Sequence, residues 1–252
     1  MKIKFINLNI FEGGKFIDAV LAFFKKEQPD ILTLQEVYVG KNQHLDPNFR
    51  SIKTLQQALP KMNFYFSPEF LHLRKVGNIQ VGNAIFSRFP IVTKKTVFFD
   101  IPYGEYPGYP KKADFSRDPK NMQLVELNLP HTTLTIGNLH GIWGFDGNDT
   151  PRRLAMGKTI IDQIKGKERV IVAGDFNLLP NTKTIHNLEK HLINVFKNEL
   201  TTTFNMKRKS RPGYAVSVVD MVFVSRDIGV LDKRCPQVDI SDHLPLFCLL
   251  DV

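Results

Sequence analysis

Cysteine is scarce in this chain: Cys235 and Cys248 are the only two in 252 residues. They show no metal-ligand spacing and cannot form a disulfide framework, which excludes a disulfide-stapled scaffold and a cysteine-based zinc site. Cys248, set in an apolar run, reads as a small buried hydrophobe. No apolar stretch approaches the ~20 residues needed to cross a bilayer. The start, "MKIKFINLNIF", alternates charged and apolar residues, which suits a strand and not a secretory signal. These absences predict a soluble, cytoplasmic protein, and nothing in the residues points to a protein partner, so a monomer is expected. Low-complexity tracts, linkers, repeats and composition breaks are also missing, which predicts one domain over residues 1–252.

Acid is in short supply as well. Asp and Glu total 25 against 34 Lys and Arg, a formal charge of +9. A basic balance suits a polyanionic partner through long-range steering. The pairs Lys25-Lys26, Lys94-Lys95 and Lys111-Lys112 read as solvated faces. Only "MKRKSRPG" (206–213) concentrates positive charge, in a Gly/Pro-marked loop where it could meet phosphate.

The residues that are present alternate between strand and helix patterns. Strands are predicted over 3–11, 30–37 and 169–177, and two more over 82–99, broken at Pro90. "MQLVELNL" and "TTLTIGNLHG" read as a hairpin-like pair, and "VSVVDMVFVS" and "DHLPLFCLLDV" as the last strands. Helical spacing covers 14–28, a short stretch from 52, 150–166 and 182–196, with Thr150 a candidate N-cap and Pro151 at the first helical position. Residues 101–121, rich in Pro, Gly and Tyr, read as a long loop of the kind that carries function.

The strands share a peculiarity. "DILTLQE" runs into Glu36, "TLTIGNLHG" into His140, and "RVIVAGDFN" into Asp175 and Asn177, while Asp220 interrupts "VSVVDMVFV" and Asn7 and Asn9 interrupt "KFINLNI". A buried charge without a partner is expensive, so polar groups recurring at strand ends predict a single cluster. Asp175 and Asn177, two apart, point the same way in an extended segment, as do Asn7 and Asn9. Hard cations such as Mg²⁺ take one or two carboxylates plus waters and substrate phosphate, and Glu36 with Asn9 beside it fits that need. The adjacent Asp242 and His243 pose a puzzle, because neighbours in a regular strand face opposite ways.

In order along the chain, "LNI" (8–10), "LQEV" (34–37), "GNAIFSRFPI" (82–91), "NLHG" (138–141), "GDFN" (174–177), "VVDMVFVS" (218–225) and "SDHLP" (241–245) resemble the endonuclease/exonuclease/phosphatase superfamily, which includes deoxyribonuclease I, apurinic endonucleases, neutral sphingomyelinases and inositol polyphosphate phosphatases. The resemblance implies an α/β (α+β type) fold: a four-layered sandwich of two packed mixed β-sheets flanked by helices. It implies Mg²⁺ or Mn²⁺ as cofactor, with Glu36, Asn9 and Asp242 on the metal side. Asp175 and Asn177 would position the attacking water and contact the phosphate, His243 would act on the nucleophile with Asp220 orienting it, and His140 would be the general acid for the leaving oxygen. Arg153 and Asn7 are candidate phosphate contacts. The resemblance carries one gap: the deoxyribonuclease supports its acid histidine with a glutamate from an upstream strand, and "NIQVGNA" (78–84) offers only Asn78, Gln80 and Asn83. The expected function is a metal-dependent phosphodiesterase acting on DNA or RNA. The alternatives are a sphingomyelinase-like enzyme at a membrane lipid head group, an inositol-phosphate phosphoesterase, and an inactive phosphate-binding relative.

Overall fold

Alternation along the first strand, β1 (Lys2–Asn9), sorts its side chains between two cores. Ile3 and Phe5 face one side, and Ile6 and Leu8 the other. The structure is a computed structural model that describes residues 1–75, 77–106, 115–209 and 217–252. In it, β1 is central to a seven-stranded mixed sheet. The order is β12 (Gly229–Arg234), β13 (Leu246–Asp251), β1, β2 (Ile31–Gly40), β4 (Ile79–Ser87), β3 (Asn63–His72) and β6 (Glu105–Tyr106). A second sheet has six strands in the order β10 (Ile193–Asn194), β11 (Asp220–Val224), β9 (Val170–Asp175), β8 (Thr133–His140), β7 (Asn121–Asn128) and β5 (Ile91–Phe98).

The two sheets stack over a core of Ile3, Phe5, Ile31, Ile136, Ile171, Val222 and Cys248. Helices α1 (Ile17–Glu27) and α2 (Ser51–Ala58) cover the outer face of the first sheet through Val20, Phe24 and Leu55. Helices α3 (Pro151–Ile164) and α4 (Lys183–Glu189) cover the outer face of the second through Met156, Ile160 and Leu188. These are the four layers expected from the sequence. The α3 start is also as expected: Pro151 opens it, and the Thr150 hydroxyl accepts the Arg153 N–H at 3.2 Å.

Strand direction concentrates the polar residues. β1 and β2 are parallel, as are β8 and β9, so these strands end on one rim. β13 runs antiparallel to β1 and β11 antiparallel to β9, so the last two begin on that rim. Polar residues at the ends of β1, β8 and β9, at the bulge of β2 level with the end of β1, and at the start of β11 and just before β13 therefore meet.

Two readings need correction, and two strands went unread. The helix expected over 182–196 stops at Glu189, and Ile193–Asn194 pair with β11 instead. Leu192 packs on the outer face of the second sheet while Val195 and Phe196 enter the inter-sheet core, and one helix on one face could not reach both. Glu36 does not end its strand, since β2 continues to Gly40 through a bulge. β3 and β12 had no reading at all, because β12 is almost wholly exposed and β3 mixes Pro68 and Glu69 into its apolar run. Lys111-Lys112, residues 107–110 of the long loop and residues 210–213 of the basic run lie outside the described residues.

Candidate active site

Two glutamates reach the rim through backbone irregularity. Glu36 is passed over in the β2–β4 pairing, which jumps from Leu34 to Val37, and its φ is 57°. Glu69 is passed over in the β3–β4 pairing, which jumps from Pro68 to Phe70. A bulge re-aims a side chain that regular pleating would send to the other face. A positive φ on a non-glycine residue costs energy and persists only where its surroundings enforce it. At Glu36 they do: its carboxylate accepts the Asn9 amide at 3.0 Å and the Glu12 N–H at 2.7 Å.

Asp175, the last residue of β9, is the hub. Its Oδ2 lies 3.2 Å from Asn9 Nδ2, 3.6 Å from His140 Nε2 and 3.9 Å from His243 Nε2. Its Oδ1 accepts the Asn177 N–H at 2.9 Å. Asn177 has φ 54°, so it leaves the extended path, and its side chain donates to the Gly141 carbonyl at 3.1 Å. The shared facing expected for Asp175 and Asn177 thus gives way to a turn that closes on the carboxylate. Gly141 is required there, since a Cβ would sit 2.0 Å from the Phe176 carbonyl oxygen.

The two histidines have different neighbours. His243 Nδ1 is 2.8 Å from Asp220 Oδ2, and Phe204 packs edge-on against the ring at 4.7 Å between centroids. Burial alone would lower the His243 pKa, but Asp220, then Asp242, hold it up at about 10. Burial instead takes His140 well below 6.5, helped by the Lys120 ammonium. Burial also raises Asp175 to about 6, with Asp220 adding to the effect and His243 opposing it. Near neutral pH the site therefore holds one imidazolium and one neutral imidazole, both aimed at one carboxylate oxygen.

The opening puzzle of Asp242 and His243 dissolves in the backbone. Residues 241–243 precede β13 and bridge to Phe204, so strand alternation does not apply, and both side chains are buried on the site. Ser241 pins the segment by donating to the Asn9 carbonyl at 2.7 Å. Asp242 Oδ2 lies 2.6 Å from Lys209 Nζ, and its Oδ1 is 4.0 Å from His243 Nε2.

Hard oxygen donors for a divalent ion are present on this side. The Glu36 carboxylate is partly exposed and still has lone pairs after its two hydrogen bonds, and the Asn9 amide that it accepts also reaches Asp175 at 3.2 Å. Asn9, as it stands, presents Nδ2 to the carboxylates and gives Oδ1 to the Phe11 N–H at 3.0 Å, which suits an orienting group. Asp175, Asp220 and His243 also bring one ligand atom each within 4.8 Å of one another. Asp220 and His243 are already bound to each other, so that trio reads as a hydrogen-bonded relay.

Two expected phosphate contacts are not brought to the cluster. Arg153 is 1% exposed, and its guanidinium donates to the carbonyls of Ile142 at 3.0 Å and Asn148 at 2.5 Å, shaping the loop after β8. Asn7 lies one layer below the rim, where its Oδ1 accepts from Thr33 and Gln35. Gln35 continues to Asn138, which donates to the Leu34 and Ala84 carbonyls, so this is an amide network tying the sheets together. Residues that sequence reasoning missed are Glu69 and Lys120, while Lys209 comes from the basic run 206–213. Glu69 fills the gap left at "NIQVGNA": it comes from β3, 3.8 Å from His140 Nδ1, and Asn83 from that stretch donates to it at 3.0 Å. The only signal in the sequence was an acid next to a proline inside an apolar run.

A model of the endonuclease/exonuclease/phosphatase family matches residues 7–243. Among solved structures, an endonuclease/exonuclease/phosphatase from Bacteroides vulgatus superposes with a TM-score of 0.74 at 17% identity, covering 100% of this chain and 99% of that one. TDP2 from D. rerio, complexed with a single-strand DNA product, gives 0.71 at 15% identity with 100% and 99% covered. A mannosyl-6-phosphatase from Bacteroides thetaiotaomicron gives 0.69 at 19% identity with 99% and 100% covered. At such identities the likeness shows the fold, and no curated protein matches the sequence.

Proposed function

The chain belongs to the endonuclease/exonuclease/phosphatase family, whose members hydrolyse phosphoester bonds, and from that premise we propose that it is a divalent-metal-dependent phosphodiesterase acting on nucleic acid. The observation that carries the reading is the hub: one carboxylate oxygen, on Asp175, flanked by the Nε2 atoms of two histidines, one cationic and one neutral. Two titratable groups pushed apart by their surroundings are the arrangement expected of a hydrolytic site.

Each residue then has a task. Asp175, oriented by Asn9 and Asn177, accepts a hydrogen bond from the attacking water and draws its proton. The His243 imidazolium, held by Asp220, offers Nε2–H to the charge that grows on the phosphoryl oxygens. His140 does the same from the opposite side. Glu36, together with Asp242, would hold Mg²⁺ or Mn²⁺, which when bound supplies charge neutralisation at the phosphate. The net charge of +9 and the cation Lys209 beside Asp242 support a polyanionic substrate.

The test compares hydrolysis of single-stranded DNA, duplex DNA, RNA and a bis-aryl phosphodiester, with Mg²⁺, with Mn²⁺ and with chelator, by the protein and by His243→Ala. Expected is metal-dependent cleavage of a nucleic acid, lowered at least ~10²-fold in the variant. Turnover confined to the small diester would move the substrate class, and a fully active His243→Ala would remove the mechanism.

A further inference from the structure

Lys120 enters the cluster from the residue before β7 and is 4% exposed, which is rare for a lysine without paired charge. Its ammonium donates to Glu69 Oε2 at 3.2 Å and stands 3.2 Å from His140 Nδ1. Glu69, Asp118 and Glu36 all act to keep it charged against the cost of burial. An ammonium has three donors and no lone pair, so His140 Nδ1 has to be the acceptor. The ring is then neutral and its single proton sits on Nε2, the atom that faces Asp175 Oδ2 at 3.6 Å. Glu69 does not reverse this. Its Oε1 is 3.8 Å from Nδ1, beyond hydrogen-bond reach, and accepts the Asn83 amide at 3.0 Å instead.

We propose that Lys120 is a positioning residue that fixes His140 as a neutral Nε2–H hydrogen-bond donor, so that His140 stabilises charge on the phosphoryl or leaving oxygen without giving up its proton. The second half rests on the phosphodiesterase reading, while the tautomer stands on the contacts alone. It departs from the acid role that the resemblance assigns to this histidine. A neutral imidazole is a good donor but a very weak acid, since its conjugate base would be an imidazolate.

The first test reads the ring directly. ¹⁵N-labelled protein is studied in chelator by long-range ¹H–¹⁵N correlation, with the His140 signals identified by their loss in His140→Gln. Expected is a protonated Nε2 and an unprotonated Nδ1 from about pH 6 to about pH 8. Lys120→Arg, which also only donates, keeps this pattern, and Lys120→Met, leaving Glu69 as the nearest partner, moves the proton to Nδ1. A wild-type ring protonated at Nδ1, or at both nitrogens, overturns the proposal. Should Lys120→Met fail to fold, the wild-type and Lys120→Arg spectra decide. The second test is kinetic: His140→Ala loses ~10²-fold or more on alkyl and aryl diesters alike, whereas His140→Gln, which keeps an N–H donor, recovers at least about tenfold of that loss. Equal loss in both variants, confined to alkyl leaving groups, restores the general acid. If no phosphoester is turned over, the hydrolase reading falls while the spectrum still decides the tautomer.

Discussion

Replacing Asp220 with Asn keeps the shape of the side chain and removes the charge on which the His243 ring depends. His243 Nδ1 lies 2.8 Å from the Asp220 carboxylate, both residues are buried, and the ring is held charged up to about pH 10. A group raised above its ordinary 6.5 stabilises the fold fully below that pH and surrenders the contribution as pH rises towards about 10. At about 1.36 kcal/mol per pH unit, the whole span is worth on the order of 5 kcal/mol, and roughly 3 kcal/mol remains at about pH 7.5. That agrees with the ~3–5 kcal/mol typical of removing one partner from a buried ion pair. The comparison belongs above pH 7, because burial raises Asp175 to about 6 and Glu69 to about 7, and both add their own slopes lower down. Urea unfolding of wild type and Asp220→Asn, in chelator, at about pH 7.5 and about pH 10 gives the answer. The variant should be weaker by ~3 kcal/mol at the lower pH and by less than ~1 kcal/mol at the higher. A deficit of the same size at both would show that Asp220 stabilises through packing or neutral hydrogen bonds, and the charged-ring account would be refuted.

The remaining predictions concern the metal and the arginine. Mg²⁺ or Mn²⁺ should raise the unfolding temperature of chelated wild type, by the equivalent of ~2.7 kcal/mol at a hundredfold excess over Kd, and should not do so in Glu36→Gln; an unchanged rise in the variant would place the ion on other residues. Arg153→Met should cost on the order of 2 kcal/mol in urea, because the Ile142 and Asn148 carbonyls lose their donor, with little change in KM. Intact stability with a raised KM would return Arg153 to the phosphate.

The layers of the fold were legible because alternation, continuous apolar runs and helical spacing are local properties, and β1, β2, β9, α1 and α3 carry them. The elements that escaped are those whose state is decided by distant partners. Ile193–Asn194 is a strand only because β11 offers an edge, and β12 is nearly all exposed, leaving no apolar face to detect. Most of the candidate site was legible for a different reason. Apolar strands have no need of Asn9, His140, Asp175 or Asp220, so each announced a cost that something else had to offset. Arg153 and Asn7 misled because a buried polar residue near the site can serve the scaffold as well as the substrate, and spacing does not distinguish the two.

The groups that decide how the site works were the hardest to read. His140 and His243 stand 3.6 and 3.9 Å from the same oxygen, and as residues they are interchangeable. Burial disfavours charge on both rings, and their charge states differ because Asp220 offsets it at His243 while Lys120 reinforces it at His140. Neither neighbour is adjacent in sequence: Asp220 is 23 residues from its histidine and Lys120 is 20. Lys120 follows Asp118 and Pro119 in a segment with no periodic pattern, and Glu69 reaches the cluster only because β3 is bulged beside it. A motif therefore locates the histidines, while β11, which carries Asp220, and the β7–β8 hairpin, which brings Lys120 to His140, set the different surroundings of the two rings. Relatives that keep the motif but change the residue at position 120 should move His140 between donor and acid without disturbing Asp175 or His243.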